Sequence, residues 1–192
     1  RFGASGALAV GVPSAADDAV AMRLDASYLY ASVRVRNLAM NDLRAYVIYV
    51  QASAAALPPA ASRAGLTYFE QTPTVPFQAD YAIVLRRRND AGDMAGPYAG
   101  LFRWDDGRWA RAQRYRDGVE VFPSAGGVSV RLTRASLGSP RYVRLAGHAV
   151  QGGGLYNATV PAAHQPWMTA ATTGFYELDL TTAGAAATWT AR

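Results

Sequence analysis

The 192-residue chain contains no cysteine and no lysine, so all 19 of its basic residues are arginine. Without cysteine there is no thiol catalysis, iron–sulfur cluster, cysteine zinc site or disulfide. Histidine is almost as scarce. With only His148 and His164, a histidine-rich metal centre cannot be assembled, and a Ser-His-Asp triad would need one of them beside a serine with no nucleophile-elbow context. Glu70, Glu120 and Glu177 are the only glutamates, and no acid and base pair at the ~5 to 9 Å separation of glycoside hydrolysis can be read from them. A hydrolase is therefore not expected. No uninterrupted apolar run approaches the ~20 residues that a membrane-spanning helix needs. Charged residues make up only 17% against 51% hydrophobic, a composition too apolar for a disordered chain.

What remains is a globular chain of ordinary domain size, read as one domain over residues 1–192 and able to bury roughly 70% of its unfolded surface. Arginine without lysine in an alanine-rich chain matches the bias of a GC-rich genome. The chain opens at Arg1 with neither a methionine nor a leader, as expected of a mature form or of a segment of something longer. Its net charge is +5. That excess is mild, and although Arg86-Arg87-Arg88 forms a run, there is no recognition helix or RNA-binding aromatic consensus, so nucleic acid is not an expected partner.

Apolar residues recur with period two. They do so through Ala19 to Leu24 and through Tyr28 to Val35, where Leu29, Ala31, Val33 and Val35 share one face. Asp25-Ala26-Ser27 between these runs predicts a hairpin. Tyr46 to Gln51 and Ala79 to Arg87 read as central strands. The interval Ala52 to Gln78, with Pro58, Pro59, Pro73 and Pro76, reads as a long loop with a short helix at Ala60 to Ala64. Gly100 to Trp104 and Arg108 to Gln113 flank Asp105-Asp106-Gly107, and Asp-Gly between aromatic alternations is a strong hairpin signal. Gly118 to Phe122, Gly127 to Leu132, Tyr142 to Val150 and Gly174 to Leu180 complete about ten strands, the pattern of an all-β, two-sheet antiparallel β-sandwich. Thr133 to Leu137 interrupts the strands as one capped helical turn ending at Gly138. The expected core includes Leu29, Ala31, Val33, Val47, Tyr49, Ile83, Leu85, Val130, Leu132, Val143 and Leu145.

This order of pieces resembles the family 9 carbohydrate-binding modules and the wider DOMON-like jelly-roll sandwiches. The matching motifs are Asp25-Ala26-Ser27-Tyr28-Leu29-Tyr30, the pair Asp80-Tyr81, the hairpin Trp104-Asp105-Asp106-Gly107-Arg108-Trp109, and the strand and turn from Val128 to Gly138. The hairpin has one residue more than the family pattern, and Thr133 stands where the family has proline. The resemblance implies a binding domain without catalysis, in a secreted or cell-envelope protein. Within that group the ligand is a sugar or a haem, and some members have none known.

Loop and hairpin aromatics carry the best ligand signal. Trp104 and Trp109 flank one turn, Tyr98 precedes it and Trp167 lies in a proline-bounded loop. Sugar rings stack their C–H faces on such side chains, while Arg103, Asp106, His164 and Gln165 supply polar partners for hydroxyls. The expected ligand is thus a glycan or polysaccharide. The competing reading of Trp104 and Trp109 is cross-strand packing. Asn89, Asp90 and Asp93 cluster with Gly92, a loop that could hold calcium or be an ordinary Asx-rich turn. His148 reads as a structural mid-strand residue and Trp189 as a packing anchor. One alternative function is haem binding, through Met22, Met40, Met94 or Met168 with a histidine. The other is a structural subunit contacting a cell-envelope partner protein.

Overall fold

A computed structural model describes residues 10–13, 19–24, 27–34, 44–67, 72–86, 98–114, 118–124, 127–151, 157–160, 163–164, 174–180 and 188–191. In chain order the strands are β1 (Val10–Pro13), β2 (Ala19–Leu24), β3 (Tyr28–Arg34), β4 (Arg44–Ser53), β5 (Arg63–Ala64), β6 (Thr74–Val75), β7 (Tyr81–Arg86) and β8 (Tyr98–Asp105). There follow β9 (Arg108–Arg114), β10 (Val119–Ser124), β11 (Gly127–Thr133), a 3-10 turn at Arg134–Leu137, β12 (Tyr142–Gln151), β13 (Asn157–Val160), β14 (Ala163–His164), β15 (Gly174–Asp179) and β16 (Thr188–Ala191). The protein is an all-β sandwich of antiparallel sheets.

One sheet runs β1-β2-β3-β11-β10, and the larger runs β14-β13-β12-β4-β7-β8-β9, with β15 pairing the first half of β12 and β16 outside it. β2 and β3 pair as the expected hairpin, Leu24 opposite Leu29. β4 is central, flanked by β12 and β7. β10 lies against β8, and β11 against β7.

β4 shows why its sequence is apolar on both sides. Val47 and Tyr49 point one way and Ile48 and Val50 the other, and none is more than 2% exposed. A strand buried on both faces cannot alternate apolar with polar. Ile48, Val50, Ile83, Leu101, Val143 and Leu145 form the side that meets Leu29, Val130 and Leu132 of the smaller sheet, all of them buried. The expected core residues Leu29, Ile83, Val130, Leu132, Val143 and Leu145 therefore sit between the sheets. The side chains of Ala31, Val33 and Leu85 fall outside the described set.

Val47 and Tyr49 belong to a second core that the sandwich pattern does not foresee. It lies on the outer face of the larger sheet, where Val47, Tyr49, Ala82, Val84, Ala146 and Phe175 pack with Val75, Phe77 and Ala79 of the segment between β4 and β7. Phe77 meets Phe175 edge to face at 5.7 Å. The long proline-rich segment is thus a lid folded onto the sheet. The helix expected at Ala60 to Ala64 does not form. Arg63 and Ala64 instead pair with Val75 and Thr74 as a small ladder, because tertiary contacts with the sheet outweigh the weak helix preference of a short alanine run next to two prolines.

Three features seat this segment. Gly65 N–H donates to Pro73 O at 2.8 Å, Leu66 N–H donates to Tyr49 Oη at 2.9 Å, and a Cβ on Gly65 would fall 2.4 Å from that same hydroxyl. Only glycine allows so close an approach. Further along, buried Arg144 in β12 donates to Pro58 O at 2.6 Å and to Gln51 Oε1 at 3.1 Å, and its Nε pairs with Glu177.

Local turn chemistry behaves as the sequence implies. Asp106 and Gly107 have φ of 44° and 80°, the positive values of a two-residue hairpin turn whose twist matches its strands. The Thr133 hydroxyl accepts from Ser136 N–H at 3.3 Å, and Gly138 closes the turn with φ 75°.

Candidate functional site

The β8–β9 hairpin forms one edge of the larger sheet, and its register sets Trp104 directly opposite Trp109. With Asp106-Gly107 as the turn and Asp105 opposite Arg108, this is the next pair in, where cross-strand side chains approach most closely. The rings meet at 5.3 Å and 77°. Both are half-buried, but their surroundings differ.

Trp109 leans inward. Its ring lies 5.9 Å from that of Tyr49, its Nε1–H donates to Ala64 O at 3.1 Å, and it packs against the second core. It ties the β5 segment to the sheet. Trp104 lies at the outer side of that contact. The Arg63 guanidinium sits 4.5 Å from its ring centroid, a cation–π distance, and its indole N–H has no acceptor among the described residues.

Arg63 is itself held. Its Nη1 donates to Ala79 O and its Nη2 to Gln78 Oε1, each at 2.5 Å. Gln78 Nε2 in turn reaches Ser62 O at 2.9 Å. Asp80 is the clamp beneath. Its Oδ2 accepts from Ala52 N–H at 3.0 Å, its own N–H donates to Val50 O at 2.9 Å, and its carbonyl accepts from Trp104 N–H at 2.8 Å. One residue thereby fixes the spacing of β4, β7 and β8, which is a structural reason for an Asp-Tyr pair at the start of β7. Burial pushes the Asp80 carboxyl above its ordinary range, against the opposing pull of the Ala52 N–H, Arg63 and Arg103. Burial also lowers Arg63, with Asp80 working the other way.

The remaining expected residues are not all drawn to this place. Arg103 alternates with Trp104 along β8 and is exposed on the opposite face of the hairpin. Asp106 is exposed at the tip. Tyr98 begins β8, opposite Arg86. Six residues of strand at ~3.3 Å each put its backbone about 20 Å from Trp104. His164 stands in β14, at the far edge of the sheet from β9. Trp167, Gln165, Asn89, Asp90 and Asp93 lie outside the described residues. Of the haem alternatives, Met22 is in β2 of the smaller sheet and His148 in β12 of the larger, opposite Val47. Among the described residues no group of three or more His, Asp or Glu could hold a metal ion, and no helix is long and apolar enough to cross a membrane.

Arg63 and Asp80 were not among the residues expected at the site. Nothing near Arg63 in sequence marks it, because only the folding-back of the segment brings it over Trp104. The local sequence around the turn, by contrast, is enough to place Trp104 and Trp109 on a hairpin.

Fold and patch together define an antiparallel β-sandwich with an aromatic and arginine-bearing patch on one sheet edge. No family model matches the chain, and no significant match to it emerges among curated proteins or solved structures. The likeness to family 9 carbohydrate-binding modules and DOMON-like domains therefore rests on the short motifs alone.

Proposed function

We propose that the protein is a non-catalytic carbohydrate-binding module of a secreted or cell-envelope protein, with a sugar ring stacked at Trp104. The observation that carries this reading is the state of Trp104. Its ring is half-buried, in contact with Trp109 and Arg63, and its indole N–H has no acceptor among the described residues. A fixed aromatic surface with a donor at its rim suits a ligand with both C–H faces and hydroxyls, and holding it in advance lowers the ordering cost of binding. Exposed Asp106 and Arg108 at the turn offer an acceptor and a donor for such hydroxyls. The motif likeness to family 9 modules points the same way, and the scarcity of histidine and glutamate argues for binding over turnover.

Affinity electrophoresis against a panel of soluble polysaccharides tests the reading. The wild-type protein is expected to be retarded by at least one polymer. Trp104→Ala should lose several-fold in affinity, the ~0.5 to 1.5 kcal/mol of an aromatic face, while keeping its melting temperature within a few degrees, about what a half-exposed position allows. Absence of retardation by every polymer, or unchanged retardation of Trp104→Ala, would reject it.

A further inference from the structure

The described surface holds several unusual groups. Arg144 is engaged by Glu177, Gln51 and Pro58 and, at 7% exposure, is too buried to meet a ligand. The edge strand β9 carries exposed Arg108 and Arg111, but Arg111 lies over the Phe102 ring, and charges on an edge are a common guard against strand pairing. Arg63 differs from both. It is a cation positioned by the fold, stacked on the ring proposed to take the ligand, and only partly used.

A guanidinium has five N–H donors in one plane. Two of those on Arg63 are committed, one to Ala79 O and one to Gln78 Oε1, and the others have no acceptor among the described residues. Asp80 lies near enough to influence Arg63 electrostatically, yet its Oδ2 is engaged by Ala52 N–H and it makes no hydrogen bond or ion pair to Arg63. A planar cation of this kind prefers a planar anion, binding a carboxylate with two parallel hydrogen bonds.

Resting on the glycan reading above, we propose that Arg63 is a carboxylate subsite and that the ligand is an acidic glycan, with a uronic acid unit stacked at Trp104 and its carboxylate paired to Arg63. An aromatic ring beside arginines also fits single-stranded nucleic acid. The same hairpin, however, exposes Asp105 and Asp106, acceptors that match the several hydroxyls of a uronic acid unit better than a strand of deoxynucleotides, which carries no free sugar hydroxyl within the chain. That mixture favours the acidic glycan.

The test is titration calorimetry of the full chain with polygalacturonate, its fully methyl-esterified form and a thymidine homopolymer. Polygalacturonate should bind more tightly than the ester and weaken as salt is raised, because an exposed ion pair is screened. Arg63→Gln should lower polygalacturonate affinity about tenfold, as expected for one charge-assisted contact, and lower that of the ester by a clearly smaller factor. Arg63→Lys, which keeps the charge but not the fork, should fall between them. Melting curves of both variants show whether the β5 segment remains docked, and Arg63→Lys keeps the comparison valid if Arg63→Gln loosens it. Equal binding of acid and ester, both lost in Trp104→Ala, overturns the carboxylate subsite and leaves the glycan reading standing. Binding of the thymidine homopolymer in preference to both overturns the two together.

Discussion

Replacing Arg144 by methionine removes a buried charge while keeping most of the aliphatic stem. Arg144 is 7% exposed. Its Nε pairs with Glu177, its Nη1 donates to Gln51 Oε1 and Pro58 O, and its Cζ lies 5.2 Å from the Phe175 ring. Taking one member from a fully buried ion pair costs about 3 to 5 kcal/mol. Here the Glu177 side chain is 35% exposed, so water recovers part of its solvation and the lower end of that range applies. Gln51, 4% exposed, cannot be rehydrated in place, and a stranded buried acceptor costs about 1 to 3 kcal/mol. We expect Arg144→Met to lose about 3 kcal/mol, a large part of the ~5 to 15 kcal/mol typical of a domain. Urea unfolding followed by tryptophan fluorescence measures this as a lower midpoint at unchanged slope. Adding Gln51→Leu should restore part of the loss by removing the stranded oxygen. Because Pro58 O is one of the anchors, the variant should also be cut faster by protease within residues 54–62. A loss below about 1 kcal/mol would mean that the network contributes no more than an exposed surface pair, and the reasoning would fail.

Three further outcomes follow from the seating of the lid. Gly65→Ala places a methyl group 2.4 Å from Tyr49 Oη and 2.6 Å from Pro73 Cγ, and should lower stability by about 1 to 3 kcal/mol in a denaturation curve, as overpacking does; an unchanged midpoint would show that the segment is not held there. Trp109→Phe keeps a ring against Tyr49 but loses the bond to Ala64 O, and should cost about 1 kcal/mol or slightly more, detectable as a fall in melting temperature that Trp104→Phe does not share. The Asp80 carboxyl is raised above its ordinary value in the folded state, so its contribution is fully present below the unfolded pKa of about 4 and is lost as pH rises through the folded value. Asp80→Asn should therefore gain on the wild type between about pH 4 and pH 7, and melting temperatures in which the two proteins move in parallel across that range would refute the assignment.

The parts legible in the sequence are those decided within a few residues. Asp106-Gly107 tolerates two positive φ values in succession, so the hairpin and the opposition of Trp104 and Trp109 follow from the turn alone. Thr133 and Gly138 bound their single helical turn for the same reason, a side-chain acceptor at one end and a left-handed backbone at the other. Period two in β2 and β3 gave the strands, and Leu29 took its expected place in the core. Only the tertiary structure decided the rest. Ala60 to Ala64 carry no local instruction strong enough to resist docking, so the segment follows the sheet. Whether Val47 and Tyr49 face the other sheet or a lid cannot be told from β4, because a strand covered on both sides is apolar on both sides. Trp109 meets Ala64 across 45 positions and Arg144 meets Pro58 across 86. Contacts that distant leave no periodicity in the chain, and it is they that carry Arg63 to Trp104 and so shape the candidate site.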